Sequence, residues 1–537
     1  MHQQLLFVLV LLFIVLLLVM LAQKIKIAYP IFLVLAGLAI SFIPAIPKIS
    51  INHELIFLIF LPPLIYEAAW YTSWNDFWRR KGTIAFLAFD LVFFTSMVVA
   101  FTAFGIIPGF SLPLGFLLGG IISPTDAVAA ENILTGMKVP KTILIILKGE
   151  TLVNDASSLI VCRFALAAVV TGSFSMPAAV GEFVLVTGMG VFIGLAGAHL
   201  MYAVHRFLPT TPNINTALTL MTPYILYLGA EQFHFSGIMA VVSGGLYLSF
   251  RSLELFSKGE TRLNMVGTWN TITFMLNALV FIIIGLDLPE IINGLGNHSI
   301  FGAIKYGVLI SMVTIIVRFI WVYPVLYVRK WLSKATREGP SLGWKGPLIM
   351  GMAGMRGGVS LATALSIPVF IGSNVPFPFR NLILFITFIV IFITLVLQGL
   401  VLPLVIKLLR IKETDDVILE DREHDDIRAR LIKVALQRLN DKYALEVGDN
   451  ERLGTLKNNL EKEIVNTNLQ VRSWEFAKKE HEKTELFNTV LRDIYSVQRK
   501  ELFTLRKEKK FNDELIRELL VQIDLDELKI ESSNKLV

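Results

Sequence analysis

The sequence predicts an all-α polytopic membrane protein of about thirteen transmembrane helices, followed by a cytoplasmic helical domain. Three observations carry this reading. Of the 537 residues, 54% are hydrophobic and only 17% charged, at a mean hydropathy of +0.65, which is more apolar surface than a water-soluble core buries. The apolar residues come in runs of the roughly 20 that a helix needs to cross a bilayer. After Arg410 the composition turns abruptly charged and polar, with helical apolar spacing at Ile427, Leu431 and Val434 and again at Leu515, Leu519 and Ile523. Two domains follow: a membrane domain over 1–410 and a cytoplasmic helical tail over 411–537. The tail is either regulatory or a solvated helical extension that aids assembly.

Charges, prolines and glycines cut the membrane domain at 5–22, 27–44, 54–72, 83–107, 112–134, 142–171, 178–205, 213–230, 235–250, 266–288, 300–328, 345–371 and 380–409. The first run lacks a basic flank before it and a small-residue cleavage site after it, so a first span is expected rather than a removed signal peptide. With the N-terminus outside, Lys24, Lys26, Arg79, Arg80, Lys81, Lys138, Lys141, Arg206, Arg251, Lys258, Arg262, Arg329, Lys330, Lys334, Arg337 and Lys345 all fall on the cytoplasmic side. Lys48, Lys305 and Arg380 are left on the other. The positive-inside rule selects this topology and puts the C-terminus in the cytoplasm.

Several function classes lose ground at once. A net charge of +6 is a weak argument for nucleic acid, because lysine and arginine gather at cytoplasmic loops anyway; membrane lipid is the expected partner. The single cysteine, Cys162, excludes an intrachain disulfide framework and sits in apolar surroundings that suggest packing. No Gly-rich phosphate loop occurs, so ATP-driven pumping has no visible engine. No cofactor is expected, and neither is an enzyme, since no Ser/His pair or His-rich metal motif stands out in the spans.

Two spans look interrupted. Ser123-Pro124-Thr125-Asp126 puts a proline and an acid in the middle of span five, and Gly354-Met355-Arg356-Gly357-Gly358 surrounds an arginine with glycines in span twelve. Non-helical backbone at membrane depth is tolerated only where it lines a cavity or is buried in protein, and paired broken helices in the two halves of a transporter mark its binding site. With one span set apart, the breaks fall at roughly corresponding places of two six-span halves. Inverted repeats with two crossing broken helices are therefore expected.

Charge at bilayer depth is costly, about 2.5–3.5 kcal/mol for a carboxylate on insertion scales, so it is paired, wet or functional. The intramembrane charges here are Glu67, Asp90, Asp126, Glu131, Lys148, Glu150, Asp155, Arg163, Arg318 and Arg356, concentrated between 126 and 163. On a helix, Thr151 and Asp155 share one face, and Glu150 and Asn154 the adjoining one. The chain offers carboxylates and hydroxyls rather than histidine and cysteine clusters, which suits hard alkali cations. Asp155, Thr151, Ser158, carbonyls freed near Thr125, and Glu67 or Asp126 could form one such site; alternatively these groups only satisfy one another between helices. A carboxylate removed from water is stable either protonated or with a bound cation. Competition between the two at one residue is enough to couple their fluxes in opposite directions.

The segments Ser123–Ala129, Gly149–Ala156, Gly354–Ala362 and Leu61–Ala69 resemble the signature segments of the monovalent cation/proton antiporters of the sodium/proton exchanger type. A weaker likeness extends through Gly229-Ala230-Glu231, Ser236-Gly237, Arg318 with Trp321, and Gln398-Gly399, across the whole membrane part. The resemblance implies a thirteen-span homodimer in which a core bundle moves against a dimerisation domain. It implies that Asp155 binds the ion and the proton, with Thr151, Glu67 and the backbone near Thr125 as further ligands. Asn154 would orient the site, Glu150 would be tied to Arg356, and Asp126 would neutralise the ends of the broken helices. The pair Asn154-Asp155 resembles the electroneutral branch of the family, in which one titrating carboxylate exchanges one cation for one proton. The expected activity is Na+ (or K+)/H+ exchange across the plasma membrane. A K+-selective exchanger and a cation channel are the alternatives, and the cytoplasmic tail is a place for a regulator to bind.

Histidines are lesser candidates. His53, His205 and His234 lie near predicted loops, where they would be solvated or sense pH, and His199 lies within a span. Asn297-His298-Ser299 fits a glycosylation triplet.

Overall fold

The computed structural model describes residues 2–42, 53–134, 137, 139–172, 176–256, 259–295, 299–332, 343–371, 375–409, 415–444, 450–472 and part of 489–527. Leu515, Asn297 and His298 lie outside the described residues. Lipid offers the backbone no hydrogen bonds, so each spanning segment must pair its own amides. Every apolar stretch is accordingly one helix or two short ones. In chain order these are α1 (His2–Lys24), α2 (Tyr29–Ser41), α3 (His53–Trp70), α4 (Trp74–Ala85), α5 (Leu91–Ile106), α6 (Leu112–Ile122), α7 (Ala127–Leu134), α8 (Lys141–Thr171), α9 (Met176–Phe207), α10 (Pro212–Glu231) and α11 (Gly237–Leu255). They continue with α12 (Gly259–Leu286), α13 (Leu288–Asn293), α14 (Ile300–Leu332), α15 (Lys345–Met352), α16 (Gly358–Leu365), α17 (Arg380–Phe392) and α18 (Gly399–Leu409). Wide π-helical turns at Phe86–Asp90 and Ile393–Gln398 join α4 to α5 and α17 to α18.

Seven of the described helical stretches are long and apolar enough to cross a membrane, and Leu9–Lys24, Tyr29–Ser41 and Leu58–Trp70 are shorter apolar helices. The protein is thus an all-α polytopic membrane protein. One boundary differs from expectation: helix already begins at Trp74, so Arg79, Arg80 and Lys81 are helical rather than in a loop. Trp74 and Trp78 stack with centroids 5.5 Å apart, and the Lys81 ammonium sits 4.0 Å over the Trp78 ring. An amphipathic aromatic and basic turn of this kind suits the membrane interface.

Helix contacts are close where side chains are absent. Gly115 and Gly119, one turn apart on α6, face α5 so tightly that a Cβ at either would strike the backbone of Ala100 or Ser96. This is the small-xxx-small spacing by which helices approach in lipid. Cores form two apolar clusters, one built mainly on α5, α6, α12, α14 and α17 and the other on α3, α9, α10 and α11.

By its contacts the chain divides into two compact units, Met1–Lys412 and Glu413–Val537. In the second, α19 (Asp415–Lys442) packs against α20 (Glu451–Arg472). Of the apolar positions along α19, Ile427, Leu431 and Val434 are exposed, whereas Ala429 and Ile432 are buried. Leu519 is exposed as well.

Candidate ion-binding site

Pro124 brings no amide to a helix, and the chain runs non-helical from Ser123 to Asp126 before α7 begins. The second interruption, Ala353–Gly357, separates α15 from α16. The two breaks meet, with the Asp126 amide donating to the Met355 carbonyl at 2.7 Å. Asp126 Oδ1 accepts from the amides of Val128 (2.8 Å) and Ala129 (3.4 Å), capping α7. Its Oδ2 lies against Gly357, where an added Cβ would collide with it. One carboxylate therefore serves the positive ends of two helices, α7 and α16. Gly357→Ala is expected to push the carboxylate off this seat at about 1–3 kcal/mol, lowering the melting temperature of the purified protein. An unchanged melting curve would show that the breaks tolerate separation.

Arg356 stands in the second break, and its side chain is spent on backbone. Nε donates to the Ile122 carbonyl at 3.1 Å and Nη1 to the Gly354 carbonyl at 2.6 Å, while its amide donates to Thr394 Oγ1 at 3.1 Å. The wide turn in which Thr394 sits brings that hydroxyl to the break. The expected ion pair between Glu150 and Arg356 is therefore corrected. Glu150 is held by Arg318 of α14, with Nη1–Oε1 at 2.5 Å and Nη2–Oε2 at 3.0 Å, both side chains 1% exposed. The cause is reach: carbonyls freed at the breaks take up Arg356, and the regular helix α14 brings Arg318 to α8 instead.

Thr125 locks the first break to α8. Its hydroxyl donates to Glu150 Oε1 (3.1 Å) and accepts from Asn154 Nδ2 (2.9 Å), and its carbonyl accepts from Thr151 Oγ1 (3.0 Å). Asn154 thus orients the break through Thr125 and is not among the residues that line the cavity at Asp155.

Asp155 is 5% exposed, and among the described residues its carboxylate has no hydrogen-bond donor. It lines a cavity of about 110 Å³ with Thr125, Asp126, Thr151, Asn277 and Ser360. The cavity lies where the two apolar clusters meet, drawing Leu61, Ile65 and Leu152 from one and Phe281, Ile284 and Leu361 from the other. Two expected ligands are not part of its wall. Ser158 Oγ returns to the Asp155 carbonyl of its own helix at 2.9 Å. Glu67 is half-buried beside the Lys148–Glu131 ion pair (2.7 Å), because Leu61, Leu64, Ile65 and Ala68 are the residues of α3 that face the cavity. Asn277, Ser360 and the role of Arg318 escaped sequence reasoning. The signal was a polar residue inside an apolar run, the same signal that marked the carboxylates.

A second cavity, about 180 Å³, lies further along α8 beside Leu159, Ile160 and Arg163. Arg163 forms a bidentate pair with Glu231 at 2.7 and 2.8 Å. Among the described residues no histidine lines either cavity. His205 lies in the last turn of α9, buried rather than solvated, with Nδ1 2.9 Å from Asn215 Oδ1, and His199 Nδ1 is 2.8 Å from the Tyr247 hydroxyl.

Residues 9–408 match the family described as "Sodium/hydrogen exchanger, transmembrane". The chain is 35% identical over 376 residues to the sodium, potassium, lithium and rubidium/H(+) antiporter of Bacillus pumilus (strain SAFR-032), covering 68% of this chain and 56% of that protein. Against the same-named protein of Bacillus subtilis (strain 168) it again covers only 57% of the relative's length. It is 30% identical over 384 residues to the Na(+)/H(+) antiporter ApNhaP of Aphanothece halophytica, covering 71% of this chain and 70% of the relative. The fold is similar to that of the sodium proton antiporter MjNhaP1 from Methanocaldococcus jannaschii, with a TM-score of 0.59 at 18% identity over 74% of this chain and 96% of that one. With the family match running through both helix breaks and the cavity between them, the chain belongs to the sodium/hydrogen exchanger family.

Proposed function

We propose that this chain is a secondary active antiporter that exchanges Na+ or K+ for H+ across the plasma membrane, one for one, by alternating access. The observation that carries the reading is Asp155, a buried carboxylate with no protein donor among the described residues, in a cavity it shares with Thr125, Thr151, Asn277, Ser360 and Asp126, the last already engaged by the amides of Val128 and Ala129. Such a group is stable with a proton or with a cation, and holding one excludes the other. Since Asn154 and not a second acid precedes it, one charge replaces one charge. Two cavities at successive levels of α8, one at Asp155 and the other at Arg163, support alternating access. The Bacillus relatives, named as sodium, potassium, lithium and rubidium/H(+) antiporters, support a site that admits more than one alkali ion. In this reading the N-terminus is outside, the protein works as a homodimer in lipid, and the unit after Lys412 is cytoplasmic and receives a regulator.

Purified protein in liposomes with a trapped pH dye tests this. An imposed sodium or potassium gradient is expected to drive opposite proton movement, at a rate that a membrane potential does not change. Because both ions compete for one carboxylate, the half-saturating cation concentration rises as pH falls, while the rate at saturating cation holds. Cation flux that follows voltage with no proton movement would make the protein a channel, and a half-saturating concentration indifferent to pH would remove the shared carboxylate.

A further inference from the structure

We infer that Asn277 and Ser360 complete the cation's coordination shell beside Asp155 and Thr151, and thereby set affinity and selectivity among alkali ions; the inference rests on the antiport reading above. A buried helical hydroxyl ordinarily returns to the carbonyl four residues earlier. Thr363 does so to Val359 (2.8 Å), Ser311 to Gly307 (2.7 Å) and Thr314 to Ile310 (2.6 Å). Ser360 is 1% exposed and lines the cavity, yet its Oγ has no partner among the described residues. The residue four positions earlier is Arg356, inside the break, so the regular carbonyl is not beneath it. A buried hydroxyl left unpaired is costly, and a ligand in the cavity removes that cost.

Asn277 makes the same argument from another helix. It sits on α12 in the run Phe274–Gly285, is 8% exposed, lines the same cavity, and has no hydrogen bond to its carboxamide among the described residues. Hard cations are held by several oxygens at once. Asp155 and Thr151 both come from α8, and a shell built on that helix alone would leave the rest of the ion to water. Asn277 and Ser360 add two neutral oxygens from α12 and α16 without adding charge, so they leave the one-for-one exchange intact. As neutral ligands on separate elements they tune the size of the shell, which is what distinguishes lithium from rubidium.

The test uses the full chain in liposomes, with lithium, sodium, potassium and rubidium titrated separately, and cation-induced stabilisation in detergent as a second readout. Ser360→Ala and Asn277→Ala are each expected to raise the half-saturating concentration about five- to tenfold, unequally among the four ions, with the saturating rate within about twofold. Ser360→Thr, which keeps the hydroxyl, is expected to restore wild-type values, and Thr363→Ala, whose hydroxyl is bonded to Val359, to leave them unchanged. Wild-type half-saturation for all four ions in both alanine variants, with Asp155→Asn inactive, overturns the inference and leaves the antiport reading standing. Retained exchange in Asp155→Asn overturns the antiport reading itself. If Ser360→Ala does not fold, Asn277→Ala decides: half-saturation raised unequally among the four ions supports the inference, and unchanged affinity for all four overturns it.

Discussion

Replacing Asp155 by asparagine is expected to reduce exchange to the level of protein-free vesicles while the protein still inserts and melts close to wild type. Asparagine has the shape of aspartate but cannot take up or release a proton, and its neutral oxygen does not compensate the charge of a bound cation. Both halves of the exchange are lost together. Structure is spared because the Asp155 carboxylate has no hydrogen-bond donor to lose among the described residues and faces a cavity. Asp126 makes the contrast. It shares the cavity, but its Oδ1 is engaged by the amides of Val128 and Ala129 at the start of α7. Asparagine caps a helix nearly as well as aspartate, so Asp126→Asn is expected to fold and to retain part of the exchange. Vesicle assays on the two variants, with detergent melting curves, separate a transporting carboxylate from a capping one. Full activity in Asp155→Asn would move the exchanging group elsewhere, and Glu67, half-buried outside the cavity, would be the next to test.

The places where the structure departs from the sequence reading have physical causes. Span positions follow from apolar run length, and the two breaks follow from Pro124 and from the glycines around Arg356, because lipid permits few ways to satisfy a backbone. The meeting of Thr151 and Asp155 in one cavity follows from helical spacing. Partner choice does not. Two arginines, Arg318 and Arg356, lie at comparable depth, and nothing in their spacing says which reaches Glu150. The answer depends on where the breaks leave carbonyls unpaired, and those at Ile122 and Gly354 take Arg356. Ser158 and Ser360 differ in the same way: both are serines in apolar helices, but only the first has a carbonyl of its own helix in reach. Glu67 lies off the cavity wall by phase, since the face of α3 defined by Leu61, Leu64, Ile65 and Ala68 leaves it on the flank.

Arg318→Ala is expected to be the most destabilising single change in the membrane unit, on the order of 3–5 kcal/mol, read as a large drop in melting temperature and poor recovery from detergent. The side chain is 1% exposed and bidentate to Glu150, which is equally buried. Its removal strands a carboxylate in the low-dielectric interior, and the damage spreads. Glu150 Oε1 also accepts from Thr125, whose hydroxyl and carbonyl hold the first break to Asn154 and Thr151. Glu150→Gln keeps an acceptor for Thr125 and leaves only Arg318 uncompensated, so it is expected to be milder. Arg356→Ala gives up two hydrogen bonds to carbonyls of the breaks but leaves the Glu150–Arg318 pair closed. At about 1 kcal/mol for a typical hydrogen bond, it should melt well above Arg318→Ala. The order of the three melting temperatures therefore identifies the working partner of Glu150. If Arg356→Ala falls below Arg318→Ala, the pair that holds α8 is the one to Arg356, and the arrangement of α14 against α8 described above is wrong.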